Sequence, residues 1–236
     1  MNSWSLTSQL CGLADTIELR EALVALNMLS HDAGDFTITT VEDWHRGGAE
    51  TFIYRFRIAC DGFTCSDYIL KACVPFSPAT PIEYVLNQWH DRRILLSMHG
   101  VRTPTLHAIG NGVLLEEFIP HSISDLIRTY SDRTEPIAQA TAHLAGVVAR
   151  LRFIPTDLFS ELRTHGTDSV MIDFGSDLGP PNAAYHTSDA IWTALLRTLS
   201  TWNIKNRPDL QNLREIFESS LHDGTRAFPT AIPDDA

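Results

Sequence analysis

The stretch Val170-Met171-Ile172-Asp173-Phe174-Gly175 decides how this chain is read. Three apolar residues make a short strand that delivers a carboxylate to its end, and the glycine lets the chain turn sharply there. A carboxylate so placed can bind Mg2+ that bridges nucleotide phosphates. Asp-Phe-Gly also arises by chance, so its meaning depends on what surrounds it.

Upstream, the segments 36–41, 51–59 and 68–74 are rich in β-branched and aromatic residues, the signature of successive strands. The connection after the first carries His45-Arg46-Gly47-Gly48-Ala49-Glu50, and the connection after the second carries Asp61-Gly62. Short connections between three strands imply an antiparallel meander. Lys71 sits inside the third, in Tyr68-Ile69-Leu70-Lys71-Ala72-Cys73-Val74. A lysine in an apolar strand either runs its stem out to water or meets an anion. Backbone N–H groups at a turn such as Gly47-Gly48 can approach phosphates without side-chain obstruction.

A proline-rich break over 75–81 leads to a helix with Ile82, Val85, Trp89 and Leu96 at helical spacing, stopped by Gly100. Strands over 105–109 and 113–118 follow, joined by Gly110-Asn111-Gly112, a hairpin signal. Before all of these, the first 30 residues read as helix, with Leu19, Leu23 and Leu26 on one face and Asp15 as its N-cap. Beyond Pro120 the periodicity is helical over 135–151, 188–202 and 209–221, and the tail from Ala227 reads as frayed. The chain therefore reads as α+β in two lobes, 1–117 and 118–236. The first is an antiparallel sheet with its helices; the second is small and mostly helical.

Bulk composition narrows the partners. A formal net charge of −11 argues against a protein that grips a nucleic-acid backbone. No segment reaches the roughly 18 uninterrupted apolar residues of a membrane span, and the start Met1-Asn2-Ser3-Trp4 does not look like a signal peptide. Cys11, Cys60, Cys65 and Cys73 form no metal-ligand spacing and read as reduced thiols of a cytoplasmic protein.

With these residues in order, the chain resembles the protein-kinase-like superfamily, and most closely its aminoglycoside/choline-phosphotransferase branch, over about residues 36–202. Besides Lys71 and Asp173-Phe174-Gly175, the stretches Ile94-Leu95-Leu96-Ser97-Met98-His99-Gly100-Val101-Arg102-Thr103-Pro104 and Gly112-Val113-Leu114-Leu115-Glu116-Glu117-Phe118-Ile119-Pro120 carry the resemblance. It implies ATP and Mg2+ as cofactors. It also implies Lys71 at the α/β-phosphates, the Gly47-Gly48 turn over the phosphates, Asp173 on the metal, and backbone groups of Glu117, Phe118 and Ile119 at adenine. The family pairs its lysine with an acid of the following helix, for which Asp91 and Glu83 both qualify, the spacing favouring Asp91.

The catalytic loop departs from the family pattern. The Asp in the corresponding place is Asp157, 16 residues before Asp173; Pro155-Thr156 stand where His-Gly is expected, and Leu162 stands where the metal-binding Asn is expected. Asp157 can accept a proton from a substrate hydroxyl or cap a helix from Leu158 onward. Ser160 and Glu161 are the nearby groups that could replace the missing Asn. His165-Gly166-Thr167-Asp168 stands too close to Asp173 to be the catalytic loop and reads as a hairpin turn.

Between Phe118 and Asp157 the sequence shows one connection and one long helix, without the added helices that build acceptor pockets in small-molecule members of the branch. That favours a Ser/Thr hydroxyl of a peptide or protein as acceptor, with a partner protein completing the acceptor site. One alternative is a small-molecule phosphotransferase of aminoglycoside or choline type. The other is a pseudokinase that binds without catalysis.

Overall fold

In the computed structural model the described residues are 17–47, 51–60, 66–74, 77–110, 112–129, 133–155, 162–164, 169–175, 178–179, 188–202 and 208–222. The chain divides into two compact units. One holds the described residues up to Trp89 together with Pro104–Phe118; the other holds His90–Thr103 and the described residues from Ile119 onward.

The first unit is built on a five-stranded antiparallel sheet in the order β1-β2-β3-β5-β4. Its strands are β1 (Phe36–Arg46), β2 (Thr51–Cys60), β3 (Ser66–Cys73), β4 (Leu106–Gly110) and β5 (Val113–Glu117). Strict alternation gives the sheet two different faces. Phe36, Tyr54, Phe56, Ile58, Tyr68, Leu70, Val113 and Leu115 point one way and join Leu23, Met28 and Leu29 in a buried cluster. Leu23 belongs to helix α1 (Ile17–Ala25), which ends at Asn27 with φ +55° and the bond Met28 N–H to Leu23 O, 2.9 Å. The opposite face carries Arg55, Ile69, Lys71, Leu114 and Glu116, on the evidence of the pairs Lys71–Leu114, Ile69–Glu116 and Arg55–Ile69.

The first strand is longer than its sequence reads. His45 and Arg46 were expected in the connection, yet β1 runs through both, pairing His45 with Ile53 and Arg46 with Phe52. Two irregularities between Thr40 and His45 let a charged, exposed edge stay paired.

Helix α2 (Ile82–Met98) follows β3, and the division between the units falls inside it, after Trp89. It stops as the sequence indicates. Gly100 adopts φ +78°, Val101 N–H reaches Leu96 O at 3.1 Å, and Gly100 N–H reaches Ser97 O at 3.0 Å. This is the glycine-terminated C-cap in which a left-handed residue satisfies the last carbonyls.

The second unit is mostly helical: α3 (Ile123–Thr129), α4 (Thr134–Arg150), α5 (Ser188–Thr201) and α6 (Leu210–His222). The stripe on α4 buries Ile137, Thr141, Leu144 and Val148, and α6 packs on it through Leu213 and Phe217, both fully buried. Gly146 of α4 is the closest point. A Cβ there would lie 2.6 Å from Ser220 Cβ and would also collide with the Phe217 carbonyl oxygen.

Small strands complete this unit: β6 (His121–Ser122), β8 (Arg163–Thr164) and β9 (Ser169–Val170) in one sheet, β7 (Ile154–Pro155) and β10 (Leu178–Gly179) in another. Strands β8 and β9 pair antiparallel with Thr164 opposite Ser169, and the segment His165 to Asp168, expected as a hairpin turn, lies outside the described residues.

Helix α3 corrects the sequence reading of the stretch after Phe118, which holds a second helix besides α4. Ser122 caps it: its Oγ accepts the Asp125 N–H at 3.1 Å and donates to the Asp125 carboxylate at 2.6 Å. Ile123, Leu126 and Ile127 are buried. Seven residues are too few for periodicity to stand out, so the Ser-x-x-Asp signal carried the information.

Candidate functional site

Lys71 comes from the centre of β3 on the face opposite the aromatic core, where the sheet turns every second side chain. Its ammonium lies 2.6 Å from Glu116 Oε1, with 14% of the lysine side chain and 3% of the glutamate side chain exposed. The register explains the meeting: Glu116 stands opposite Ile69, two residues from Lys71 on the same face. Diagonal neighbours of this kind are within reach of long side chains. The acids expected from the sequence as its partner, Asp91 and Glu83, are exposed on α2. Glu116, in the fifth strand, was not among the residues expected. The signal that could have found it is a carboxylate that directly continues the apolar run Val113-Leu114-Leu115.

The segment after β5 is tightly held. Glu117 N–H donates to Thr105 O at 2.9 Å, and its carboxylate accepts from the Thr105 amide and hydroxyl, each at 3.1 Å. Phe118 N–H donates to Asp67 O at 3.2 Å. The Arg55 guanidinium stacks 3.6 Å from the centre of the Phe118 ring and binds Asp67 at 2.5 Å and Glu42 at 2.9 Å. Arg57 joins the same carboxylate at 2.5 Å. Its hydrogen bond, with that of Arg55, holds the Asp67 carboxyl below the usual carboxylate range against the opposing effect of burial. Two of the backbone N–H groups in the segment expected at adenine, those of Glu117 and Phe118, are thus engaged with Thr105 and Asp67.

Gly47 is also committed. Its N–H donates to Thr51 O at 2.9 Å, its carbonyl accepts from Thr51 Oγ1 at 2.8 Å, and a Cβ there would collide with Ile53. A larger residue there would require the half-buried Ile53 side chain to shift. Gly48 lies outside the described residues, as do Asp157, Ser160 and Glu161; Leu162 is buried at 2% exposure.

In the second unit, Met171 N–H donates to Arg102 O at 3.0 Å, and Val170 bridges Arg102 in parallel. This pairing lies at Val170 and Met171, ahead of Asp173. One carboxylate oxygen of Asp173 accepts the Gly175 N–H at 2.8 Å. Phe174 is buried, with the Arg93 guanidinium 4.8 Å from its ring centre. Arg92 Nη1 donates to Phe174 O at 2.7 Å and to Gly175 O at 2.6 Å. Ile119 is buried in the same unit, and Asp91 is exposed on α2 beside these arginines.

Among the described residues no cluster of three or more His, Cys, Asp or Glu could cage a metal. Asp173 offers hard carboxylate oxygen, the donor that suits a Mg2+ arriving with phosphates and retaining water ligands. No described helix is long and apolar enough to cross a membrane, and Cys60 is half-buried and Cys73 buried.

No protein-family model matches the chain, and no curated protein matches it. Among solved structures it aligns with the crystal structure of the apoenzyme of macrolide 2'-phosphotransferase MphH from Brachybacterium faecium. The identity is 14% and the TM-score 0.33, over 86% of this chain and 90% of that one.

Proposed function

We propose that the protein is a phosphotransferase that moves the γ-phosphoryl group of ATP, with Mg2+, to a hydroxyl. The observation that carries this reading is the Asp173 loop. A half-buried carboxylate three residues beyond the short strand β9, which ends at Val170 rather than running to Ile172, accepts the N–H of Gly175, and the Phe174 and Gly175 carbonyls are fixed in turn. Bound Mg2+–ATP would supply the transferable phosphoryl group and neutralise its developing charge. In this reading Asp173 holds the metal, Lys71 neutralises phosphate oxygens, Glu116 orients Lys71, and Asp157 accepts the acceptor's proton.

For the acceptor we favour a small hydroxyl-bearing molecule over a peptide. The peptide reading rested on a stretch after Phe118 with no added helix, and α3 occupies that stretch. The neighbour named above acts on a macrolide, an example of this acceptor class and not the ground for choosing it.

The test is a thermal-shift titration with ATP, with and without Mg2+, followed by phosphate transfer to aminoglycoside, macrolide and Ser/Thr-peptide panels. Metal-dependent stabilisation by ATP is expected, and Asp173→Ala should abolish both it and transfer. Wild-type transfer by that variant would refute the assignment. Transfer confined to peptides would restore the peptide reading, and absence of any ATP response would leave a binding module.

A further inference from the structure

We infer that Arg92 is a positioning residue for the metal loop: helix α2 serves Asp173 through two hydrogen bonds that one guanidinium nitrogen makes to the backbone of the loop. The inference rests on the phosphotransferase reading above. One terminal nitrogen of Arg92 donates to two successive carbonyls, Phe174 O and Gly175 O, 82 and 83 residues away in sequence. Two bonds to consecutive carbonyls fix the orientation of the peptide between them.

That peptide carries the Gly175 N–H, which binds Asp173 Oδ1. The chain of contacts therefore runs from the guanidinium through one peptide unit to the carboxylate. Arg93, the next residue, is 5% exposed and lies over the Phe174 ring. Two adjacent arginines thus hold backbone and side chain of the same tripeptide. A guanidinium suits this task because its terminal nitrogen carries two in-plane N–H donors and the group is permanently charged. Groups that orient a metal ligand in this way influence metal affinity without touching the metal.

The experiment compares wild type with Arg92→Met, which keeps the aliphatic stem and removes the donors. Mg2+ is titrated into protein saturated with ATP, and the thermal shift is read. The half-saturating Mg2+ concentration should rise about 10- to 100-fold in the variant, while the shift given by ATP in excess EDTA equals that of wild type. Amide exchange over 171–175 should quicken. Arg92→Lys should recover part of the Mg2+ dependence, since an ammonium can reach one carbonyl.

A merely structural role would lower the melting temperature equally under all conditions and leave the Mg2+ half-point where it was. That result, in folded Arg92→Met, overturns the inference and leaves the proposed function standing. A wild type with no Mg2+-dependent shift overturns the proposed function, and the inference with it. Should Arg92→Met fail to fold, Arg92→Gln carries the same titration with the same two outcomes.

Discussion

Lys71 and Glu116 show what a single register position decides. The pair is nearly dry, and taking one charge away leaves the other buried without its nearest counter-ion. Removing one member of such a pair is far costlier than replacing both by apolar groups. Glu116→Ala is therefore expected to lower unfolding stability by roughly 3 kcal/mol, measured by urea denaturation. The double variant Lys71→Met/Glu116→Leu should regain more than half of that loss while giving no ATP-dependent thermal shift. Equal losses in the single and double variants would mean that shape, not charge, governs the position. The lysine itself was legible in sequence because a cation interrupts an apolar strand. Its partner was not, since strand register fixes who stands diagonally opposite and no local pattern reports register.

At the scale of elements, the packing of α4 against α6 turns on Gly146. In an exposed helix, alanine would be favoured over glycine by about 1 kcal/mol. Here the added methyl group meets the Phe217 carbonyl oxygen and lies 2.6 Å from Ser220 Cβ. Backbone cannot swing aside as a side chain can, so the helices must separate. Gly146→Ala is expected to destabilise by about 2 kcal/mol, within the range for overpacking. A variant at least as stable as wild type in chemical denaturation would show that α6 yields. The α4 stripe was readable from periodicity alone, whereas α3 was too short for periodicity, and its Ser122 cap went unread.

At the scale of the molecule, the second unit carries an acid sensitivity. Burial depresses the pKa of His143, whose Nδ1 lies 2.8 Å from Ser220 Oγ; the backbone of His99 and Gly100 opposes the shift, and the nearby Arg150 adds to it. His99, in contact with Arg150, is shifted the same way by burial and by that charge. A histidine with a lowered folded pKa binds fewer protons folded than unfolded. The fold therefore has its full stability above the ordinary imidazole pKa of 6.5 and loses it as pH falls below that value. The loss continues until the folded pKa is passed. Urea midpoints should fall from pH 7.5 to pH 5, and His143→Gln should flatten that slope. A variant slope equal to that of wild type would place the sensitivity elsewhere. Asp67 acts lower: its depressed pKa contributes stability above the ordinary carboxyl range that is lost only on stronger acidification.

The sequence by itself determined the order of the main elements. Alternation, glycine-bearing turns and helical stripes are local, so β1–β5 with α2 between β3 and β4, and later α4 to α6, could be read before any coordinates. It also marked Lys71 and Asp173 as residues out of keeping with their apolar neighbours. Only the tertiary structure decided what holds them. Glu116 reaches Lys71 across a strand pairing, and Arg92 reaches the Asp173 loop from more than 80 residues away. Such partners are chosen by chain reversal and packing, which bring together residues with no shared local signal. The Asp173-Phe174-Gly175 stretch thus named its own chemistry, and the fold named what keeps it in place.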